Sequence, residues 1–289
     1  MKGEKANGGG PAYFFGGDAS QVLALSGRKS KIALFLDFDG TLVPIQKDPS
    51  RCALSAEAKR LLQLLAGSGS HFVAVLSGRE LSDIKSRVGL RNICYGGNHG
   101  LSISGKGMRF VHPDAAKALP IVDKAARRLN KETSCFNGAW IERKKYSVSL
   151  HYRLAEKVCI PQIKKIFYRV AEEFSSDGLL RVMKGKKVLE LMPDISWDKG
   201  RAALWILNKL QGEYLPVFVG DDATDETAFE ALENRGITVR VGRSGKTFAH
   251  FYLKHCGETL RLLQISGGFA EGQPSLDSVK RIASRDRLT

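Results

Sequence analysis

Cysteine is scarce and unpaired in this chain. Its five cysteines among 289 residues (Cys52, Cys94, Cys135, Cys159 and Cys256) are scattered, and none stands in a C-x-x-C spacing. That argues against a disulfide framework or a thiolate zinc site and for a reducing compartment. Long hydrophobic runs are missing too, for no stretch approaches the roughly 18 apolar residues that cross a bilayer. The opening "MKGEKANGGGPAYFFGGDAS" has neither the continuous apolar segment nor the cleavage site of a secretory leader, and reads as a flexible tail. A cytoplasmic chain without a membrane partner is expected. Acidic residues are outnumbered, 30 against 45 basic ones, for a net charge of +15. Such a balance suits nucleic acid or a small anionic substrate. The cations are spread through "ERKK", "KGKK" and "KRIASRDR", with no interleaved aromatics and no nucleic-acid module. Attraction of phosphate is therefore expected, and nucleic-acid binding is not.

What is present is alternation. "KIALFLDFD" is a short β-branched and leucine-rich run that suits a strand buried on both faces. In "LSAEAKRLLQLLAGSG" the apolar residues 58, 61, 62 and 65 fall at helical spacing, with Ser55 as N-cap and Gly67 as stop. A second buried strand, "HFVAVLSGR", a helix, "ELSDIKSRV", and a third strand in "NICYGGNHG" follow. Strand-helix-strand order predicts a parallel α/β sheet. After residue 101 the pattern changes to "MRFV", a helix at 114–130, and two β-β pairs ("GAWIERK"/"YSVSLHYR" and "LLRVMK"/"KVLELM") with a helix at 159–174 between them. That predicts an antiparallel sheet with helices on one face, inserted into the first fold. Alternation resumes at "WDKGRAALWILNKL" and ends in a helix near 257–265. The expected division is a tail at 1–30, a core at 31–103 and 194–265, an insert at 104–193 and a polar tail at 266–289.

Four stretches carry chemistry. In "LDFDGT", Asp37 ends a central parallel strand and Asp39 begins the turn, so both approach the edge where such sheets bind ligands. One carboxylate can take up a phosphoryl group as nucleophile while the other serves as acid and base. "VLSGR" puts the Ser77 hydroxyl where a strand meets a helix N-terminus. Lys199 opens a helix, where the macrodipole disfavours a cation unless an anion meets it. "GDDATDE" crowds Asp221, Asp222, Asp225 and Glu226 after another strand, which calls for a cation; magnesium suits such oxygen donors. Each stretch alone has a plainer reading: an Asp-Gly turn, a Ser-Gly cap, a solvated lysine, an acidic helix start. Together at one sheet edge they specify phosphoryl transfer.

"DFDGT", "SGR", "DKG" and "GDDATDE" occur in the order of the four motifs of the haloacid dehalogenase (HAD) superfamily. With "GNHG", "GAWIERKKYSVSLHYR", "GKKVLELMP" and "WDKGRAAL", residues 31–265 resemble the trehalose-6-phosphate phosphatases. The resemblance implies a Rossmann-like α/β core, an inserted α/β cap, magnesium dependence and a phosphorylated disaccharide substrate. It makes Asp37 the nucleophile and Asp39 the acid/base, with Ser77 and Lys199 holding phosphate. Asp37, the Asp39 main-chain oxygen and Asp221 would ligate magnesium, supported by Asp222 and Asp225. Thr41, Gly78, Arg79 and His99 are expected at the substrate. In the insert, Glu142, Arg153 and Glu190 are candidates, because period-two alternation puts Ser147, Ser149, His151 and Arg153 on one strand face. A monomer is expected. A phosphatase of sucrose phosphate or of a glycosyl-glycerate or glycerol phosphate is the alternative within the enzyme class; a non-catalytic subunit of a sugar-synthesising complex is the alternative outside it.

Overall fold

The computed structural model describes residues 10–17, 23, 31–46, 48–175 and 178–269. Ala12–Tyr13 (β1) is a short first strand, and Phe14 beside it is wholly buried. These residues are part of the fold, against the expectation of a flexible tail there. Next come β2 (Lys31–Leu36), α1 (Ala56–Gly67), β3 (His71–Leu76), α2 (Leu81–Val88) and β4 (Cys94–Gly97), in the predicted order. Ser55 caps α1 by accepting from the Ala58 N–H at 3.1 Å, as its sequence position suggests.

The hairpin β5 (Ser102–Gly105) and β6 (Met108–Val111) runs antiparallel beside β4. It belongs to the large sheet, although the sequence pattern puts the switch to the insert at 104. The helix expected at 114–130 is two pieces, α3 (Pro113–Lys117) and α4 (Leu119–Thr133), with Pro120 in the first turn of the second. A proline has no N–H for the preceding turn, so the break falls there.

A second sheet then forms from β7 (Trp140–Arg143), β8 (Val148–His151), β9 (Leu180–Gly185) and β10 (Val188–Pro193), with α5 (Ile160–Ser175) between β8 and β9. Its order is β7-β8-β10-β9, all antiparallel. Val148, Leu150, Leu189 and Leu191 are buried against Val122, Ala125 and Leu129 of α4 and Ile163, Phe167 and Val170 of α5. The alternate residues Ser147, Ser149, His151 and Glu190 face the other way, as a period of two demands.

The chain returns to the large sheet through α6 (Lys199–Leu207), β11 (Tyr214–Gly220), α7 (Glu226–Leu232), β12 (Ile237–Val241), β13 (Phe251–Leu253) and α8 (Gly257–Ser266). The strand order is β1-β13-β12-β11-β2-β3-β4-β5-β6, parallel up to β4. Leu61, Leu65, Ile84, Val88, Leu262 and Leu263 cover one face, and Ala202, Ile206, Phe229 and Leu232 cover the other. Covered on both sides, β2, β3 and β11 need apolar residues at nearly every position, which is why they read as unbroken runs. β2 lies between β3 and β11, so the chain leaves it in opposite directions along the sheet. A crevice opens at the carboxyl ends of strands at such a place.

Candidate active site

The ends of the four adjacent strands β11, β2, β3 and β4 deliver Asp221, Asp37, Ser77 and His99 to one cavity. Asp37 extends the sheet ladder by donating its N–H to the Val219 carbonyl at 2.9 Å. The chain then turns at once: the Leu42 and Val43 N–H groups both donate to the Phe38 carbonyl. Gly40 makes this turn possible. Its φ is +89°, and a Cβ there would stand 2.2 Å from Asp221 Oδ2. Gly78 is similarly constrained, since a Cβ would lie 2.6 Å from the His99 ring.

Lys199 answers the question of a cation at a helix start. Its ammonium, 2% exposed, donates to Asp37 Oδ1 at 2.6 Å and to Asp225 Oδ1 at 2.7 Å. Asp225 Oδ2 accepts in turn from the Asp221 and Asp222 N–H groups, both at 2.9 Å. Asp225 is thus fully committed, and it fixes both the lysine and the loop. Burial pushes the Asp37 carboxyl up, Lys199 pulls it back, and Asp225 and Asp221 add to the push. Burial opposes the charge on Lys199, but Asp225 and Asp37 outweigh it and raise its pKa. Burial also raises Asp221, against the pull of Lys186, which reaches over from the β9–β10 turn to pair with it.

Asp37, Asp221 and Asp225 bring carboxylate oxygens within 4.8 Å of one another. Asp221 Oδ1 is buried without a hydrogen-bond partner. An oxygen-only donor set with one orphaned carboxylate oxygen fits a hard divalent cation such as magnesium, and does not suit zinc or copper. Asp222 lines the cavity, and its side chain caps the Ala223 N–H at 2.8 Å. The Asp39 carboxylate points elsewhere: both its oxygens accept from Arg79, at 2.6 and 2.7 Å.

Arg79 is a clamp in this state. Besides Asp39 it holds Asp83 at 3.0 Å and the Pro49 carbonyl at 2.9 Å, and these carboxylates raise its pKa despite burial. Ser77 lines the cavity and accepts from the Arg79 N–H at 3.1 Å. Thr41 is wholly buried outside the cavity lining, with its hydroxyl unpartnered.

The polar face of the second sheet forms the roof. Glu142, Arg153 and Glu190 line the same cavity as Asp37, Asp39 and Asp221. Glu190 accepts from Lys144 at 3.1 Å and from Ser147, and Lys144 also donates to the Gly78 carbonyl at 3.1 Å. Burial alone would raise Glu190, but Lys144, with His99 and Ser147, holds it well below the ordinary carboxylate range. His99 Nε2 stands 3.6 Å from Glu190 Oε2, too far for a formed hydrogen bond. Both of its ring nitrogens are buried and unpartnered, as are Asn98 Oδ1 and Ser149 Oγ. Buried polar atoms normally have partners, so their concentration here marks a place for a polar ligand.

Sequence reasoning put His151 on the polar strand face but named neither it nor Lys144 nor Lys186 as a site residue. The alternation that selects Glu142 also selects Lys144, two residues on. Lys186 looked like an ordinary turn lysine, and only the folded sheet brings that turn above Asp221. Trp140 was passed over in the same way.

The family profile described as trehalose-phosphatase matches residues 35–254. The trehalose-phosphate phosphatase of Mycobacterium bovis is 38% identical over 231 residues, covering 78% of this chain and 58% of the relative. That of Mycobacterium avium is 40% identical over 237 residues, covering 78% and 59%. The chain thus spans less than two thirds of the length of these curated relatives. A solved trehalose-6-phosphate phosphatase related protein superposes with a TM-score of 0.71 at 27% identity, covering 82% of this chain and 97% of that one. The C-terminal domain of the Candida albicans trehalose-6-phosphate phosphatase gives a TM-score of 0.77 at 24% identity, covering 92% and 100%, and shares the fold. With most of its length matched by the family profile and by relatives at this level of identity, the chain belongs to the trehalose-phosphatase family.

Proposed function

We propose that this chain is a magnesium-dependent phosphatase that hydrolyses trehalose 6-phosphate to trehalose and phosphate. The observation that carries the reading is the buried contact of Asp37 with Lys199, beside Asp221 and beneath a roof of polar side chains. The curated relatives bear the name of this activity.

In the first step an Asp37 carboxylate oxygen attacks phosphorus and forms an aspartyl-phosphate while the bond from phosphorus to the sugar oxygen breaks. Asp39 gives its proton to that departing oxygen. In the second step Asp39 takes a proton from water, the water oxygen attacks the phosphoryl group, and the bond to Asp37 breaks to release phosphate. Both Asp39 oxygens are held by Arg79 here, so proton delivery requires that pair to loosen as substrate enters. Lys199 steadies the nucleophile, and the Ser77 hydroxyl with the N–H groups of its loop receives the phosphoryl oxygens. Magnesium, when bound by Asp37, Asp221 and the Asp39 main-chain oxygen, would offset phosphate charge, with Asp222 and Asp225 supporting. The second sheet with α4 and α5 acts as the cap, where Glu142, Arg153 and Glu190, with His99 from below, hold sugar hydroxyls.

The test is phosphate release from trehalose 6-phosphate, sucrose 6-phosphate and glucose 6-phosphate, with magnesium and with chelator. Fast magnesium-dependent release from the first alone is expected, abolished by Asp37→Asn. Equal release from all three, or full activity in Asp37→Asn, would overturn the reading.

A further inference from the structure

The cavity has an apolar wall that the catalytic reading leaves unused. Trp140 stacks on His151 with ring centroids 4.6 Å apart and an interplanar angle of 6°. His151 is in turn fixed by Glu142, its Nε2 lying 2.7 Å from Glu142 Oε2. Trp140 and His151 are direct cross-strand partners on β7 and β8. Because β7 is the outermost strand of its sheet, no further strand covers the indole beyond the face that His151 occupies. Period-two alternation turns Trp140 toward the same side as Glu142 and Lys144, away from α4, and all three line the cavity. Ile45 lines the same cavity from the loop after β2 and is 40% exposed, unusual for an isoleucine in so apolar a core.

We infer that Trp140, with Ile45 of the same cavity lining, forms a subsite for a second hexopyranose ring of the substrate, taken by its apolar C–H face. This deepens the proposed activity and rests on it. A pyranose is amphipathic: its hydroxyls suit Glu142, Arg153 and Glu190, while its C–H face suits a flat aromatic surface. The stack on His151 fixes the indole before substrate arrives, so little ordering entropy remains to be lost on binding. A monosaccharide phosphate seated on Asp37 has no second ring to offer this wall. The subsite therefore selects for disaccharide phosphates, and it adds to their affinity without touching the reacting atoms.

Trp140→Ala and Trp140→Phe separate the possibilities. For trehalose 6-phosphate, Trp140→Ala should raise KM about 10- to 100-fold with kcat little changed, the range open to one apolar contact. Trp140→Phe should recover most of the loss. With glucose 6-phosphate, however slowly it is turned over, kcat/KM should stay within about twofold in both variants. Trehalose itself should perturb the tryptophan fluorescence of the unsubstituted protein, and should no longer do so in Trp140→Phe. Unchanged KM for trehalose 6-phosphate in Trp140→Ala, or equal losses on both substrates, overturns the subsite while leaving the phosphatase reading intact. Failure of the reading itself would appear as no release from any sugar phosphate by the unsubstituted protein. If Trp140→Ala does not fold, an unaltered fluorescence response in Trp140→Phe overturns the subsite by itself.

Discussion

Replacing Lys199 by methionine removes one ammonium and leaves the side-chain volume nearly in place. The lysine is 2% exposed and contacts Asp37 and Asp225, whose side chains are 7% and 0% exposed. At an effective dielectric constant of about 20, each contact contributes roughly 6 kcal/mol of attraction. Against this stands the several kcal/mol that each ion loses when it leaves water. Breaking a buried pair by deleting one partner costs about 3–5 kcal/mol net, a large share of the ~5–15 kcal/mol that holds a typical domain together. The deficit must depend on pH. Without Lys199 the Asp37 carboxyl, already raised by burial, rises further above its unfolded value. A group raised in the fold keeps its stability at low pH and loses it as pH climbs. The Lys199→Met deficit should therefore be small near pH 5 and grow toward pH 8, by up to about 1.4 kcal/mol per pH unit for each proton. Urea unfolding of both proteins at these two pH values measures it. A deficit below about 1 kcal/mol at pH 8, or one equal at both pH values, would refute the description of Lys199 as the keystone of a buried ionic cluster.

Gly40→Ala should abolish phosphate release while the protein stays folded, because φ is +89° and the new Cβ would press on Asp221 Oδ2 at 2.2 Å; circular dichroism beside the activity assay distinguishes the two effects. His71 is buried and neutral, its Nε2 donating to the Ser266 carbonyl at 3.1 Å, and burial pushes its pKa down to about 4. Its unfolded form titrates near 6.5, so unfolding takes up a proton between those values. Stability should fall by up to about 3 kcal/mol as pH drops from 6.5 to 4, and His71→Gln should flatten that part of the urea-unfolding profile.

The large sheet was legible because burial on both faces forces unbroken apolar runs, and β2, β3 and β11 all carry them. β1 and β13 were not legible: they are two and three residues long, and β1 is a strand only because it finds β13, which is itself held beside β12. The break between α3 and α4 hangs on Pro120 and was readable but was passed over. In the site, Asp37, Lys199 and Asp221 stood out because each is electrostatically awkward where the sequence puts it. Arg79 was legible as a site residue, but its pairing with Asp39 was not, since nothing local aims a guanidinium at a carboxylate 40 positions earlier. Lys186 and Trp140 fall to the same difficulty. Their chemistry depends on which way a whole sheet faces, and that is decided by how it packs on α4 and α5.

Among the contacts that join that sheet to the rest of the molecule, two are of unlike character. At one end Lys144 donates to the Gly78 carbonyl and the Lys145 N–H donates to Glu80, so the β7–β8 turn is tied to the loop after β3, each bond using one backbone group. At the other, a half-exposed lysine reaches over to a buried aspartate, and one side-chain ion pair joins Lys186 to Asp221. Under the proposed activity, a phosphate bound at Asp37 would stand as an anion beside that lysine and compete with Asp221 for it. Binding there would weaken the Lys186–Asp221 pair and leave the Lys144 and Lys145 hydrogen bonds in place.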